Sequence, residues 1–168
     1  MELAKADYLL ARYRDEGVLI DTNILLLYFV GGYDQRLVEN WGRTYNLFVS
    51  EDFLTLHLLL EGFQRYAVTP HVLTEVSNML GHLKDPARAE CRKALAQSIR
   101  SIMHEKRTPG VDLVENPAHI FLGIADISIL DAATNRYLVL TEDLDLYHHL
   151  QQHNVDVLNF NEIRSLAY

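Results

Sequence analysis

Apolar positions recur at two different periods along this chain, and the alternation between the periods predicts its fold. Leu3, Ala6, Leu9, Leu10 and Tyr13 form a helical stripe over residues 2–15, which Gly17 ends. Val18-Leu19-Ile20 is a short continuous apolar run, the mark of a buried strand, and it leads directly into Asp21. A helix is expected from about Asn23 to Val30, closed by a Gly31-Gly32 loop. Residues 34–62 read as mostly helical, with a break between Asn46 and Asp52. Tyr8, Tyr13 and Tyr28 fall at helical positions and read as core or partial core.

The second half repeats the pattern. Tyr66–Val68 is a strand, and Thr69-Pro70 opens a helix that should end near Gly81, with proline near its first turn where a missing N–H does no harm. Asp85-Pro86 starts a basic helix that stops before Thr108-Pro109-Gly110. Val111–Val114 is a short strand candidate, and Pro117 introduces a helix from about His119 to Asn135. Tyr137–Leu140 is a strand, residues 143–153 a helix, Val155–Leu158 the last strand and residues 162–166 a closing helix. Strands alternating with helices imply one α/β domain: a mostly parallel sheet of about five strands, flanked by helices. Residues 1–16 form a helical extension ahead of a domain spanning 17–168.

Composition narrows the class. The 168 residues suffice for one domain, and an apolar fraction of 49% is ordinary for a globular chain. The longest strongly apolar run, Ile24–Val30, falls far short of the ~20 residues a membrane span needs. No secretory signal is recognisable, and the single Cys91 suits a reducing compartment, so a cytoplasmic location is expected. A net charge of -8 opposes nucleic-acid binding, but seven basic and three acidic residues between Lys84 and Arg107 leave a local +4. Lys84, Arg88 and Arg92 are therefore candidates for holding a phosphate backbone; a solvated helix face explains them equally well.

Four acids stand in places where chemistry is expected. Asp21 and Asp143 each follow a predicted strand, so two strands deliver carboxylates to the sheet edge where parallel sheets bind ligands. Each also reads as a helix N-cap. In a continuous helix Asp126 has Leu122, Gly123, Ile129 and Leu130 at its three- and four-residue neighbours, an apolar face that a carboxylate occupies only beside a partner. Glu75 lies one turn into the helix after Pro70, with Val72 and Met79 on its face. Oxygen donors without a Cys or His set suit Mg²⁺ or Mn²⁺ rather than zinc. One or two such ions would activate water and neutralise a phosphate during in-line displacement.

In four ordered segments the chain resembles the PIN-domain family of ribonucleases: Leu19-Ile20-Asp21-Thr22-Asn23, residues 69–76 around Glu75, residues 122–129 around Asp126, and Leu140-Thr141-Glu142-Asp143-Leu144-Asp145-Leu146. The likeness spans roughly residues 17–160. It implies a parallel sheet with acids converging in a cleft, and Mg²⁺- or Mn²⁺-dependent cleavage of single-stranded or structured RNA, leaving 5′-phosphate and 3′-hydroxyl ends. On this likeness Asp21, Glu75 and Asp126 are core metal ligands, Asp143 completes the set, and Asn23 and Thr141 support the first and last acids. Asp145 either replaces Asp143 or caps the next helix, with the cap preferred; Asp131 is rotated off the face of Asp126. The family includes toxins held by a cognate inhibitor (antitoxin), but the N-terminal helix and the long segment between the first two acids depart from its compact members. That helix packs on the domain, builds a homodimer contact or meets a partner, and the sequence does not choose.

Other constellations are weaker. His149 and His153 have the spacing of a zinc pair without supporting ligands, so exposed helix histidines are expected. Ser128 and Thr22 lack a nucleophile elbow, and Cys91 has no evident base. A haloacid dehalogenase-type phosphatase would want Asp where Asn23 stands. A PIN-like module that binds RNA or protein without cutting is the stronger rival, although loss of an acid would be its hallmark.

Overall fold

A computed structural model describes residues 2–134 and 136–167. The side chain of Leu3 and the expected helix end at Asn135 lie outside the described residues. The first half runs α1 (Glu2–Tyr13), β1 (Val18–Ile20), α2 (Thr22–Tyr33), α3 (Gln35–Val38), α4 (Asp52–Leu60), β2 (Tyr66–Val68), α5 (Pro70–Leu80) and α6 (Ala87–Ser101). The second runs β3 (Met103–Glu105), α7 (Gly110–Leu113), α8 (His119–Leu122), α9 (Ile124–Ala133), β4 (Leu138–Thr141), α10 (Leu144–Gln152), β5 (Val157–Asn159) and α11 (Phe160–Ala167). None of the described helices is long and apolar enough to cross a membrane.

The five strands form one parallel sheet in the order β3-β2-β1-β4-β5. β1 is central, and its Val18, Leu19 and Ile20 are fully buried, as a strand covered on both faces requires. Successive strands step outward from β1 through β2 to β3, then the chain returns to the other side of β1 at β4. That reversal between β1 and β4 is the topological switch point, where the diverging connections open a crevice at the carboxyl ends of the strands. Asp21 and Asp143 follow the two strands that border it.

α2 is buried almost all round, with Ile24, Leu25, Leu26, Leu27 and Val30 inaccessible, which explains its near-uniform apolar sequence. The helix continues through Gly31 and Gly32 to Tyr33, so the expected glycine loop is not there. The reason is packing: a Cβ at Gly31 would stand 2.6 Å from Cδ2 of Phe53, so α4 can approach only a bare backbone. The N-terminal helix is built into the domain, with Leu9 and Tyr13 in the same core as the sheet. Tyr28 is half-buried as expected, whereas Tyr8 is exposed.

Three further expectations fail locally. Residues 39–45 are turns and a bend rather than helix, although the break expected between Asn46 and Asp52 is present. Val111–Val114 is a single helical turn, not a strand, and β3 forms instead at Met103–Glu105, pairing with β2 at the sheet edge. The helix expected over 119–135 is broken at Gly123, whose φ of +90° lies in the left-handed region that favours glycine. Asp126 is consequently in the first turn of a new helix, and the mid-helix face drawn through Leu122 and Gly123 does not exist.

Candidate active site

Each acid reaches the crevice by a local structural route. β1 runs into Asp21, which caps α2: Oδ1 accepts the Thr22 N–H at 2.5 Å. Oδ2 accepts the Thr141 hydroxyl at 2.6 Å from the end of β4. Asp21 is 6% exposed, and burial pushes its carboxyl up to about 6; the two hydrogen bonds favour the charged form, while Glu142 and Asp143 oppose it. Asp143 caps α10, its Oδ1 accepting the N–H groups of Asp145 (2.8 Å) and Leu146 (3.0 Å). The Asp143 N–H donates to the Thr141 hydroxyl at 3.0 Å, so one side chain joins two of the acids. Asp145 is therefore not the cap but a first-turn residue of α10.

Glu75 is exposed on α5 and accepts the Thr22 hydroxyl at 2.8 Å. α5 is set by its Thr69 cap and Pro70, and the Thr69 hydroxyl meets the buried Ser128 hydroxyl of α9 at 2.7 Å. That contact fixes the helix carrying Glu75 against the helix carrying Asp126. Asp126 is half-buried and makes no hydrogen bond or ion pair among the described residues. Its carboxyl is pushed up to about 8, by burial first and then by the charges of Asp21, Asp143 and Glu75. Among the described residues no cationic side chain offsets the rise at Asp126 or at Asp21. Four acids from four separated segments thus share one electrostatic neighbourhood.

The supporting residues divide. Thr141 holds Asp21, but Asn23 donates to Glu142 Oε1 at 2.6 Å instead of reaching Asp21. Glu142 is a further acid of this crevice: burial raises its carboxyl, as does Asp143, while Asn23 and Arg164 lower it. Nothing in the sequence marked Glu142, Thr22 or the Thr69–Ser128 pair, because their partners are set by the packing of distant segments. Asp131 is engaged elsewhere, accepting the Thr108 hydroxyl at 2.5 Å.

The basic candidates stand apart. Arg88 pairs with Asp85, Arg92 donates to the Ser77 carbonyl at 3.3 Å, and Lys84 is exposed; none is hydrogen-bonded to the four acids. Cys91 is buried with its thiol pushed up to about 11, which suits packing and not nucleophilic attack. His153 is exposed, but His149 is half-buried, with its ring 4.3 Å from that of His153.

The donor chemistry of the crevice, carboxylates with threonine hydroxyls behind them, fits a hard divalent cation. Among the described residues, however, no three His, Cys, Asp or Glu side chains are already grouped to hold a metal ion. Sharing one ion would require the acids to draw closer together than they stand. The chain matches no known family model and no curated protein sequence.

Proposed function

We propose that this chain is a Mg²⁺- or Mn²⁺-dependent endoribonuclease of the PIN type, acting through Asp21, Glu75, Asp126 and Asp143. One observation carries the reading: acids from four separated segments lie within electrostatic reach of one another at the carboxyl edge of a parallel sheet, Asp126 being raised by burial and by the charges of the other three. A cluster of carboxylates alone would repel a phosphodiester. A bound divalent cation supplies the missing positive charge and lowers the pKa of water.

Within that chemistry Asp21 is the fixed anchor, since Thr141 and the Thr22 N–H hold both its oxygens. Thr22 holds Glu75 and the α10 N–H groups hold one oxygen of Asp143, whereas Asp126 is the donor that no hydrogen bond fixes among the described residues. Asp126 takes up or releases a proton near neutral pH and would be ionised when a cation binds. RNA is the expected substrate, in the cytoplasm. A toxin held by a cognate inhibitor, and a homodimer, remain parts of the family reading alone.

The lack of a preassembled ligand group among the described residues favours one rival, a PIN-like module that binds RNA or protein without cutting it. Cleavage assays separate the two. Wild type should cut single-stranded RNA with Mn²⁺ and stop with EDTA, and Asp21→Asn and Asp126→Asn should each lose at least about 100-fold in rate. Equal cutting by the variants, or cutting that survives chelation, rejects the proposal.

A further inference from the structure

We propose that the cavity between α2, α4 and α6 is a binding site for a small organic ammonium compound. The cavity has a volume of about 530 Å³, within the range of roughly 300–1,000 Å³ that holds small-molecule ligands. Its origin lies in the sequences of the three helices. α4 and α6 both pack on α2, and the α6 side chains that line the space include Ala94, Gln97 and Ser98, too short or too polar to close it. The walls from α2 and α4 carry the rings of Tyr28, Tyr33 and Phe53. Tyr33 is 40% exposed, so the cavity is reached from solvent. Tyr28 and Tyr33 follow Asp21 by about 10 and 18 Å along the helix axis. The site is therefore separate from the carboxylate crevice and does not depend on the nuclease reading.

Charge and hydrogen bonding set the ligand class. Among the described residues that line the cavity, Glu90 is the one Asp, Glu, Lys or Arg. A phosphate or carboxylate would meet an anion there and no cation, whereas an ammonium group meets a carboxylate and aromatic faces together. Glu90 accepts Lys93 Nζ at 2.7 Å, but both side chains are exposed. A pair in that setting holds weakly, so a bound cation can replace Lys93. The Tyr28 ring is fixed edge-on to Phe29 and Tyr66, with centroids at 5.2 and 6.5 Å. Burial pushes its phenol up, so the hydroxyl keeps its proton. Among the described residues the Tyr28 hydroxyl, the Gln97 amide and the Ser98 hydroxyl have no hydrogen-bond partner. They suit a polar group carried beside the ammonium, as in an amino alcohol.

The probes are choline and its uncharged carbon isostere, dimethylbutanol, each titrated to millimolar concentration by calorimetry and by saturation-transfer NMR. Wild type should bind choline at least about 5-fold more tightly than the isostere. Tyr33→Ala should weaken choline binding by roughly 2- to 30-fold, and Tyr33→Phe should retain it. Glu90→Gln should weaken it too, and Ala94→Trp, which fills the cavity, should abolish it. All three positions are exposed, and unchanged thermal melts establish that the variants fold. No saturable choline binding by the wild type, or equal affinity for choline and dimethylbutanol, overturns the site. Choline binding lost in Asp21→Asn but kept in Tyr33→Ala assigns the cation to the carboxylate crevice and overturns it as well. A chain that binds choline through Tyr33 and Glu90 yet never cuts RNA keeps this site and loses the nuclease reading.

Discussion

The Thr141 hydroxyl donates to Asp21 Oδ2 at 2.6 Å across the β4–β1 boundary while accepting the Asp143 N–H at 3.0 Å. It favours the ionised form of a buried carboxylate that burial alone would push further up. Thr141→Val keeps the shape and β-branching but leaves Oδ2 without this donor. Stability at pH 8, where Asp21 is ionised, should fall by about 1–3 kcal/mol in urea denaturation. Cleavage should fall by about 10- to 100-fold, the range for lost support behind a metal ligand. Thr141→Ser, which restores the hydroxyl, should recover both.

Asp126 makes the opposite prediction for stability. Burial and the neighbouring acids push its carboxyl up to about 8 in the fold from an ordinary value of 3.8, so between those values the folded chain holds a proton the unfolded chain has released. Stability therefore falls as pH rises from about 4 to about 8. Asp126→Asn removes that loss, and should stabilise the protein at pH 8 by about 2 kcal/mol after discounting for partial exposure. At pH 4 the variant and wild type should melt alike. A variant less stable than wild type at pH 8 would refute the electrostatic account of this residue.

Gly31 and Gly32 should respond in opposite directions to the same change. A Cβ at Gly31 meets the Phe53 side chain at 2.6–2.8 Å, including its Cβ, so Gly31→Ala should cost about 1–3 kcal/mol. At Gly32 the nearest Phe53 atom stands at 3.7 Å, an ordinary contact. Gly32→Ala should be neutral or stabilising by up to about 1 kcal/mol, the helix preference of alanine over glycine. Thermal melts of the two single variants decide it.

The same glycine pair shows where sequence reading reached its limit. Strands β1, β2 and β4 were legible because each is a buried run of apolar residues, and the acids after β1 and β4 followed from that. β3 was not, since an edge strand of Met103, His104 and Glu105 carries no apolar pattern. Gly31-Gly32 reads as a loop unless Phe53, more than twenty residues away, is known to lie against it. Gly123 sits inside an apolar stretch, so its helix break left no trace in the periodicity. In the site, the acids at strand ends were visible from the chain, whereas Thr22 reaching Glu75 and Asn23 reaching Glu142 depend on packing between distant segments.

Arg164 gives a test of what closes the fold at its C-terminal end. From α11 its Nη1 donates to the Leu47 carbonyl and to Asp52 Oδ2, both at 2.7 Å, and its guanidinium lies over the Phe48 ring. Asp52 is inaccessible to solvent and also accepts the Val49 N–H at 2.8 Å, so it organises the turn that starts α4. The pair is asymmetric: the arginine is partly exposed, and the carboxylate is not. Arg164→Met keeps the apolar stem but removes the guanidinium from a buried carboxylate, the Leu47 carbonyl and the Phe48 ring together, which should cost about 2–4 kcal/mol in urea denaturation. Adding Asp52→Asn should return part of that loss, because a neutral amide is less costly than a carboxylate in a buried place from which the arginine has been removed. If Arg164→Met changes stability by less than about 0.5 kcal/mol, the ordinary range of surface substitutions, then α11 is held by Phe160 and its apolar neighbours alone.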